Sequence, residues 1–306
     1  MNVLLTGSSG WLGQTLTRRL KETGHTVFGL DPVPSPTTSI VGSIADADLV
    51  RQVIFDHRIE AIIHTGALHK PNISTHSNND FVAVNVQGTL NLLEATVAAG
   101  SKVDRFIFTS TTSLMISKAI RAGFSGGARK ARWITEELQP LLPRNIYGVT
   151  KLAAEHLCRM FHEEHGLPVI VLRTARFFPE EDDMAQSIEQ TDRNTKANEL
   201  LFRRLTVEDA ADCHLAALDQ ALDLGFDSFI VSAKTPFRES DCTELLSNAP
   251  AVVERYFPEY PEIYRRQGWT MFPSIDRVYD ATKLERKMRY VCKTGFAQVL
   301  GQLENQ

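Results

Sequence analysis

The sequence predicts an α/β protein, a doubly wound parallel sheet with a small C-terminal lobe. Short apolar runs alternate with helical patterns through the first two-thirds of the chain, a glycine-rich turn joins the first such pair, and the alternation loosens after Arg173. Strand–helix alternation is satisfied most economically by parallel strands covered on both faces by helices and linked by right-handed crossovers.

Residues 2–6 form the first predicted strand. From Trp11, the residues Leu12, Leu16 and Leu20 repeat at helical spacing, and Gly24 is placed to stop that helix. A strand over 26–30 ends at Asp31 and a proline-rich turn. A helix over 47–57 leads to a strand over 61–64, then a long helix over 80–99 closed by Gly100. A strand over 105–109, a helix over 146–165 and a strand over 169–172 complete the series. Beyond it, Glu180, Glu181, Asp182 and Asp183 form an acidic run expected to be a solvated loop. A helix over 207–222 and a strand over 229–231 read as a return to the sheet. Residues 236–273 are rich in proline and aromatics without clear periodicity, so Trp133, Trp269, Tyr256, Phe257, Tyr260 and Tyr264 are expected to pack a small lobe. The expected division is a nucleotide-binding unit over 1–175, rejoined by 207–233, and a substrate-binding lobe over 176–206 and 234–306.

With 43% hydrophobic and 23% charged residues among 306, the chain has material for a sizeable core. A formal net charge of −4 gives no general attraction to nucleic acid or membrane surfaces, and neither partner is expected. None of Cys158, Cys213, Cys242 and Cys292 sits in a CxxC pair, which favours reduced, buried thiols. The start MNVLLTGSSG has no cationic leader, and no apolar run approaches the ~18 residues of a membrane span, so a cytoplasmic protein is expected. His64 with His69, and His162 with His165, have no matching carboxylates, and no metal is expected.

The turn after the first strand reads Thr6-Gly7-Ser8-Ser9-Gly10-Trp11-Leu12-Gly13. Gly7 suits a tight turn, Gly10 lets a pyrophosphate approach the backbone, and Gly13 lets the helix pack on the sheet. The helix start offers free N–H groups and a positive dipole end to phosphates. Asp31, 18 residues beyond Gly13, is placed to accept the adenosine ribose hydroxyls and to repel a 2′-phosphate, which favours NAD over NADP; its plainer role is a turn former before Pro32.

Tyr147 and Lys151 are four residues apart at the start of a predicted helix, one turn apart on one face. A phenol near pKa ~10 is a poor base at neutral pH, and a neighbouring ammonium lowers that value. The 105–109 strand runs into Ser110-Thr111-Thr112-Ser113 at the carboxyl end, where ligands sit in doubly wound sheets. Thr111 is expected to hold the substrate oxygen beside Tyr147, with Ser110 as the fallback.

Taken in chain order, these motifs resemble the extended, epimerase/dehydratase-type short-chain dehydrogenases. The resemblance also takes in HTGA from His64, NVQGTLNLLEA from Asn85, VEDAADCH from Val207 and RVYDATKLE from Arg277. It implies a Rossmann domain and an NAD-dependent oxidoreductase or epimerase. Thr111, Tyr147 and Lys151 would be its catalytic set. Gly7, Ser9, Gly10, Trp11, Leu12, Gly13 and Asp31 would hold the cofactor, with His64, Gly66, Ala67, Asn85 and Ser110. It also implies a homodimer formed through helices flanking the sheet, including the one bearing Tyr147. Thr112-Ser113 replaces the acidic pair of nucleotide-sugar 4,6-dehydratases, Arg176 stands where epimerases carry asparagine, and Gly42-Ser43 replaces Gly-Asp near the adenine.

Thr112, Arg176, Arg203 and Arg204 are the candidate substrate-binding residues. Residues 117–132 carry Lys118, Arg121, Arg129, Lys130 and Arg132 without an acid, read either as a cationic lid or as a solvated insertion. The expected reaction is hydride transfer between NAD and a secondary alcohol or ketone of a small molecule: a sugar, sugar acid or nucleotide sugar. The rival reading is a catalytically silent NAD(H) sensor or scaffold.

Overall fold

The computed structural model describes residues 1–177 and 190–304; the acidic run Glu180 to Asp183 lies outside them. The chain clusters into two compact units. One comprises Met1–Leu114, Pro143–Thr174 and Ala210–Phe229; the other comprises the described residues of Met115–Leu142, Ala175–Asp209 and Ile230–Gln306.

The first unit begins with β1 (Asn2–Thr6), α1 (Trp11–Glu22), β2 (Thr26–Asp31), β3 (Ile40–Val41), α2 (Ala47–Asp56) and β4 (Ala61–His64). Then come α3 (Asn78–Phe81), a π turn (Val82–Gln87), α4 (Gly88–Ala98) and β5 (Arg105–Thr111). After an excursion, α6 (Ile146–His165) and β7 (Val169–Thr174) follow. The sheet has seven strands in the order β3-β2-β1-β4-β5-β7-β8, where β8 is Phe226–Val231. The ladders β1–β2, β1–β4, β2–β3, β4–β5 and β5–β7 are all parallel. β4 and β7 are buried along their whole lengths, which is why their sequences are near-continuous apolar runs. Strand order reverses at β1, so a crevice opens at the carboxyl ends of β1 and β4. One core includes Leu4, Ile62, Phe106, Phe108 and Val171 of the sheet with Val50, Leu92, Ala154 and Phe161 of the helices.

Two departures from the sequence reading shape this unit. β5 and β7 each run two residues further than expected, because Thr111 pairs with Thr174 and Ser110 with Arg173 across the ladder; branched threonines suit a pleated strand. The helix expected over 80–99 is interrupted by the π turn, which contains Asn85.

The second unit holds α5 (Lys118–Ala122), β6 (Arg132–Ile134), α7 (Asp192–Glu199) and α9 (Cys242–Tyr256). Beyond these lie α10 (Tyr260–Gln267), β9 (Arg277–Tyr279), α11 (Thr282–Met288) and α12 (Phe296–Glu304); α8 (Val207–Leu224) is shared between the units. Residues 117–132 are therefore not a bare insertion. They form a short helix and then a strand in parallel register with β9, Arg132 opposite Arg277, and they cluster with the second unit rather than the first. The aperiodic stretch 236–273 folds largely as α9 and α10. Asn248 is non-helical (φ −155°, ψ 66°) and Pro250 follows it, so α9 is kinked and its hydrophobic period is broken in the sequence. Phe202, Leu245, Val252, Tyr264 and Phe272 share this unit's core. All four cysteines are free and buried. No helix of the described residues is long and apolar enough to cross a membrane.

Candidate active site

The carboxyl ends of β1 and β4 are shaped by backbone. Gly7 has φ 73°, and a Cβ there would sit 2.7 Å from the Gly66 nitrogen; one on Gly13 would lie 2.1 Å from the Gly7 carbonyl oxygen. The protein itself therefore demands both glycines. Gly10 differs: a Cβ there would meet only the Gly7 oxygen, at 3.3 Å, so its bareness serves whatever approaches from outside. No side chain caps α1 and no acid lies in its first turn, which leaves the dipole end unopposed. These features fit a dinucleotide pyrophosphate.

Asp31 is buried beside this turn and takes the turn-forming role. Its Oδ2 accepts from the Ser9 N–H (3.1 Å) and its Oδ1 from the Val33 N–H (2.8 Å), so it forms its own turn and braces the glycine turn. Trp11 is half exposed, Leu12 is buried, and Gly66 and Ala67 are partly buried where the chain leaves β4.

His64 is fully used inside the fold. Thr89 Oγ1 donates to the Asn85 carbonyl (2.7 Å), so His64 Nε2 must donate to Thr89 (3.0 Å), and Nδ1 accepts from Thr6 Oγ1 (2.7 Å). Burial, reinforced by the Lys151 charge, holds its pKa well below the ordinary value. The ring sets the strand ends rather than reaching a ligand. Asn85 clasps the chain just after β4: Oδ1 accepts from the Leu68 N–H (2.7 Å), and Nδ2 donates to the Leu68 carbonyl (3.0 Å) and to Thr150 Oγ1 (3.1 Å).

Asn145 caps α6 by accepting from the Gly148 N–H (3.0 Å), which puts Tyr147 in the first turn. A Cβ on Gly148 would lie 3.6 Å from the Leu114 Cα, so the turn that follows Thr111 packs against the start of this helix. Tyr147, Lys151 and Glu155 follow at four-residue spacing, all buried. Lys151 Nζ stands 4.0 Å above the Phe108 ring and has no hydrogen-bond acceptor among the described residues. Burial brings its pKa down to about 7, opposed by Glu155; the neighbouring Cys158 thiol is itself pushed far up by burial, so at neutral pH it adds no charge. An unpaired ammonium here suits a ribose hydroxyl and a phenol.

Thr111 ends β5, and its Oγ1 accepts from the Ser113 N–H (3.1 Å). Thr112 donates to the Thr174 carbonyl (3.3 Å). Ser110 is not available as a substitute for Thr111, because its hydroxyl donates to Glu155 Oε1 at 2.5 Å. Glu155 is gripped in turn by Arg173, through Nη2 at 2.7 Å and Nε at 3.1 and 3.2 Å. Two residues that the sequence did not single out for this site thus belong to it. Glu155 was findable as the next step of the Tyr147–Lys151 spacing. His69, considered only as a metal ligand, has its ring centroid 5.7 Å from that of Tyr147, and burial and Lys151 bring its pKa down to about 4. Among the described residues no cluster of histidine, cysteine and acid is placed to hold a metal.

Arg176, Arg203 and Arg204 lie in the second unit. All three turn to the fully buried Glu199, at 3.9, 2.6 and 2.6 Å. Three guanidiniums on one interior carboxylate form an ion-pair hub.

A glycine turn at the switch point of a doubly wound sheet, beside a helix carrying a buried Tyr–Lys pair, defines a dinucleotide-binding protein of the short-chain dehydrogenase type. Residues 3–225 match the NAD dependent epimerase/dehydratase family, and the chain belongs to it. UDP-glucose 4-epimerase of Azospirillum brasilense is 29% identical over 180 residues, covering 56% of this chain and 47% of that protein. dTDP-glucose 4,6-dehydratase of Streptomyces antibioticus is 30% identical over 191 residues, covering 56% and 52%. The chain spans about half the length of the curated relatives it matches. Among solved structures, a short-chain dehydrogenase/reductase superfamily protein from Agrobacterium tumefaciens with bound NAD superposes over 100% of this chain and 96% of its own, with TM-score 0.68 at 20% identity, a likeness of fold.

Proposed function

We propose that this protein is an NAD-dependent oxidoreductase or epimerase acting on a secondary alcohol, or the matching ketone, of a sugar, sugar acid or nucleotide sugar. The observation that carries the reading is the buried Lys151 ammonium, without an acceptor, one turn from the buried Tyr147 phenol. NAD, when bound, supplies a nicotinamide able to take and return a hydride. Gly7, Ser9, Gly10, Trp11, Leu12 and Gly13 would cradle its pyrophosphate and Asp31 its adenosine ribose. Lys151 would meet the other ribose and hold a positive charge beside the phenol. That charge favours the phenolate, so Tyr147 takes the hydroxyl proton of the substrate and later returns it. Thr111, at the strand end, would hold the substrate oxygen, and His69, kept neutral, would flank the phenol without adding charge. Thr112 is the proposed substrate contact beside Thr111; Arg176, Arg203 and Arg204, expected as further contacts, are committed to Glu199.

The protein is further proposed to be a cytoplasmic homodimer. Exposed Val149 and Met160 on α6 and Val82 in the π turn support pairing through these helices. The test is a panel of sugars and nucleotide sugars incubated with NAD, read by absorbance of the reduced nicotinamide and by chromatography of the sugar. Stoichiometric reduced cofactor identifies a dehydrogenase, and an inverted sugar without net reduction identifies an epimerase. No turnover on any member, with NAD bound, would favour the sensor reading.

A further inference from the structure

Glu155 presents a puzzle of placement. A carboxylate four residues beyond a buried lysine on the same helix face is the natural ion-pair partner of that lysine, yet no ion pair joins the two among the described residues. Both Glu155 oxygens are engaged elsewhere: Oε1 by Ser110 and by Arg173 Nε, Oε2 by Arg173 Nη2. The two clamping residues come from neighbouring strands and are direct register partners, Ser110 on β5 opposite Arg173 on β7. Their side chains therefore leave the same face of the sheet side by side and meet the carboxylate together. Ser110, Glu155 and Arg173 are all nine-tenths buried or more, so a broken clamp would leave charge stranded in the interior.

We propose that Ser110, Glu155 and Arg173 are a positioning set, which fixes the Glu155 carboxylate as a nearby negative charge while denying it to Lys151 as an ion-pair partner. The inference rests on the reading of Lys151 as the lysine that serves Tyr147. It assigns the clamp two effects on Lys151. The carboxylate's field keeps the ammonium from being lost to burial, and its occupied oxygens leave that ammonium over Phe108, open to a ribose and a phenol. The other ionisable groups around Lys151 are Tyr147 and Cys158 on its own helix, His64 and His69 from β4 and the turn after it, and Arg173 from β7. Both histidines are held neutral and the Cys158 thiol protonated, so Glu155 is the acid that acts on Lys151.

The set makes opposite predictions for its two charged members. In Glu155→Gln the negative charge is gone and Arg173 is uncompensated, so Lys151 titrates lower by about one pH unit. In Arg173→Met the carboxylate is released and pairs with Lys151, which then titrates higher by about one pH unit or more. Arg173→Lys keeps the charge without the two-pronged grip and falls between. Ser110→Ala, the mildest change, moves the titration in the direction of Arg173→Met by a smaller step. It serves if the charged variants do not fold.

The measurement is the titration of the Lys151 side chain in nucleotide-free protein carrying 13C-labelled lysine, from about pH 5 to about pH 11. The signal is assigned by its loss in Lys151→Met. The pH profile of turnover is recorded alongside and should follow the same displacements. Shifts of opposite sign in Glu155→Gln and Arg173→Met sustain the proposal, as does the small upward shift in Ser110→Ala. Titrations within about 0.2 pH unit of the native protein in every folded variant overturn it, whatever the loss of stability. Full turnover in Lys151→Met would instead sink the catalytic reading and leave the titration result standing.

Discussion

The glycine turn and the Tyr147 helix, proposed to serve one crevice, are built by opposite means. At the glycine turn the working groups are backbone: Gly7 and Gly13 are required because a Cβ would strike Gly66 or Gly7 itself, and Gly10 is bare toward the outside. At α6 the groups are side chains, and the state of Lys151 follows from burial and from Glu155 on the same helix, which residues of the neighbouring strands clamp. A backbone-shaped site fails by steric collision, which damages fold and binding together. A side-chain-shaped site can lose its chemistry while the fold survives.

Tyr147→Phe should show the largest separation of the two. Turnover should drop by about a thousandfold, while NAD affinity by calorimetry stays close to native; unchanged turnover would remove Tyr147 from the chemistry. Gly13→Ala is its mirror image at the other end. The 2.1 Å approach to Gly7 predicts a loss of more than about 3 kcal/mol of stability in urea unfolding, with NAD binding weakened in whatever remains folded. If this variant keeps native stability, the two ends are not built as differently as described.

Acid should sharpen the contrast further. His214 supports β5 near its carboxyl end: its Nδ1 donates to the Ala210 carbonyl (2.7 Å) and its Nε2 accepts from Thr109 (2.7 Å). Burial lowers its pKa to about 4 from 6.5. Between those values the unfolded chain binds the proton that the folded one refuses. Stability is therefore complete above pH 6.5 and is lost as pH falls through 4, by about 3 kcal/mol for this ring. His214→Gln should flatten that part of the stability profile, and an unaltered profile would show that another group carries it.

The same contrast explains what the sequence disclosed. Glycines at fixed spacing after an apolar run declare a backbone turn, and apolar runs declare buried parallel strands, so β1, α1, β4 and α6 were legible with close to their observed bounds. The clamp on Glu155 was not legible, because its partners Ser110 and Arg173 are 45 and 18 residues away along the chain and meet only through the β5–β7 ladder. The fate of Arg203 and Arg204 was hidden likewise, since a guanidinium aimed at a ligand and one aimed at a buried Glu199 look alike in sequence. In the second unit, α9 escaped recognition because Asn248 and Pro250 break its period, and β6 because three residues opposite a strand 145 positions away leave no pattern of their own.

The π turn at Val82–Gln87 has an evolutionary reading. One extra residue in a coil of a helix swings a polar amide inward without ending the helix, and the amide then ties Leu68 to Thr150. Removing a single residue there would return the stretch to regular α-helix and take the amide off the face from which it reaches Leu68 and Thr150. Length in this short stretch should therefore be guarded more strictly among descendants than the identity of most residues in it.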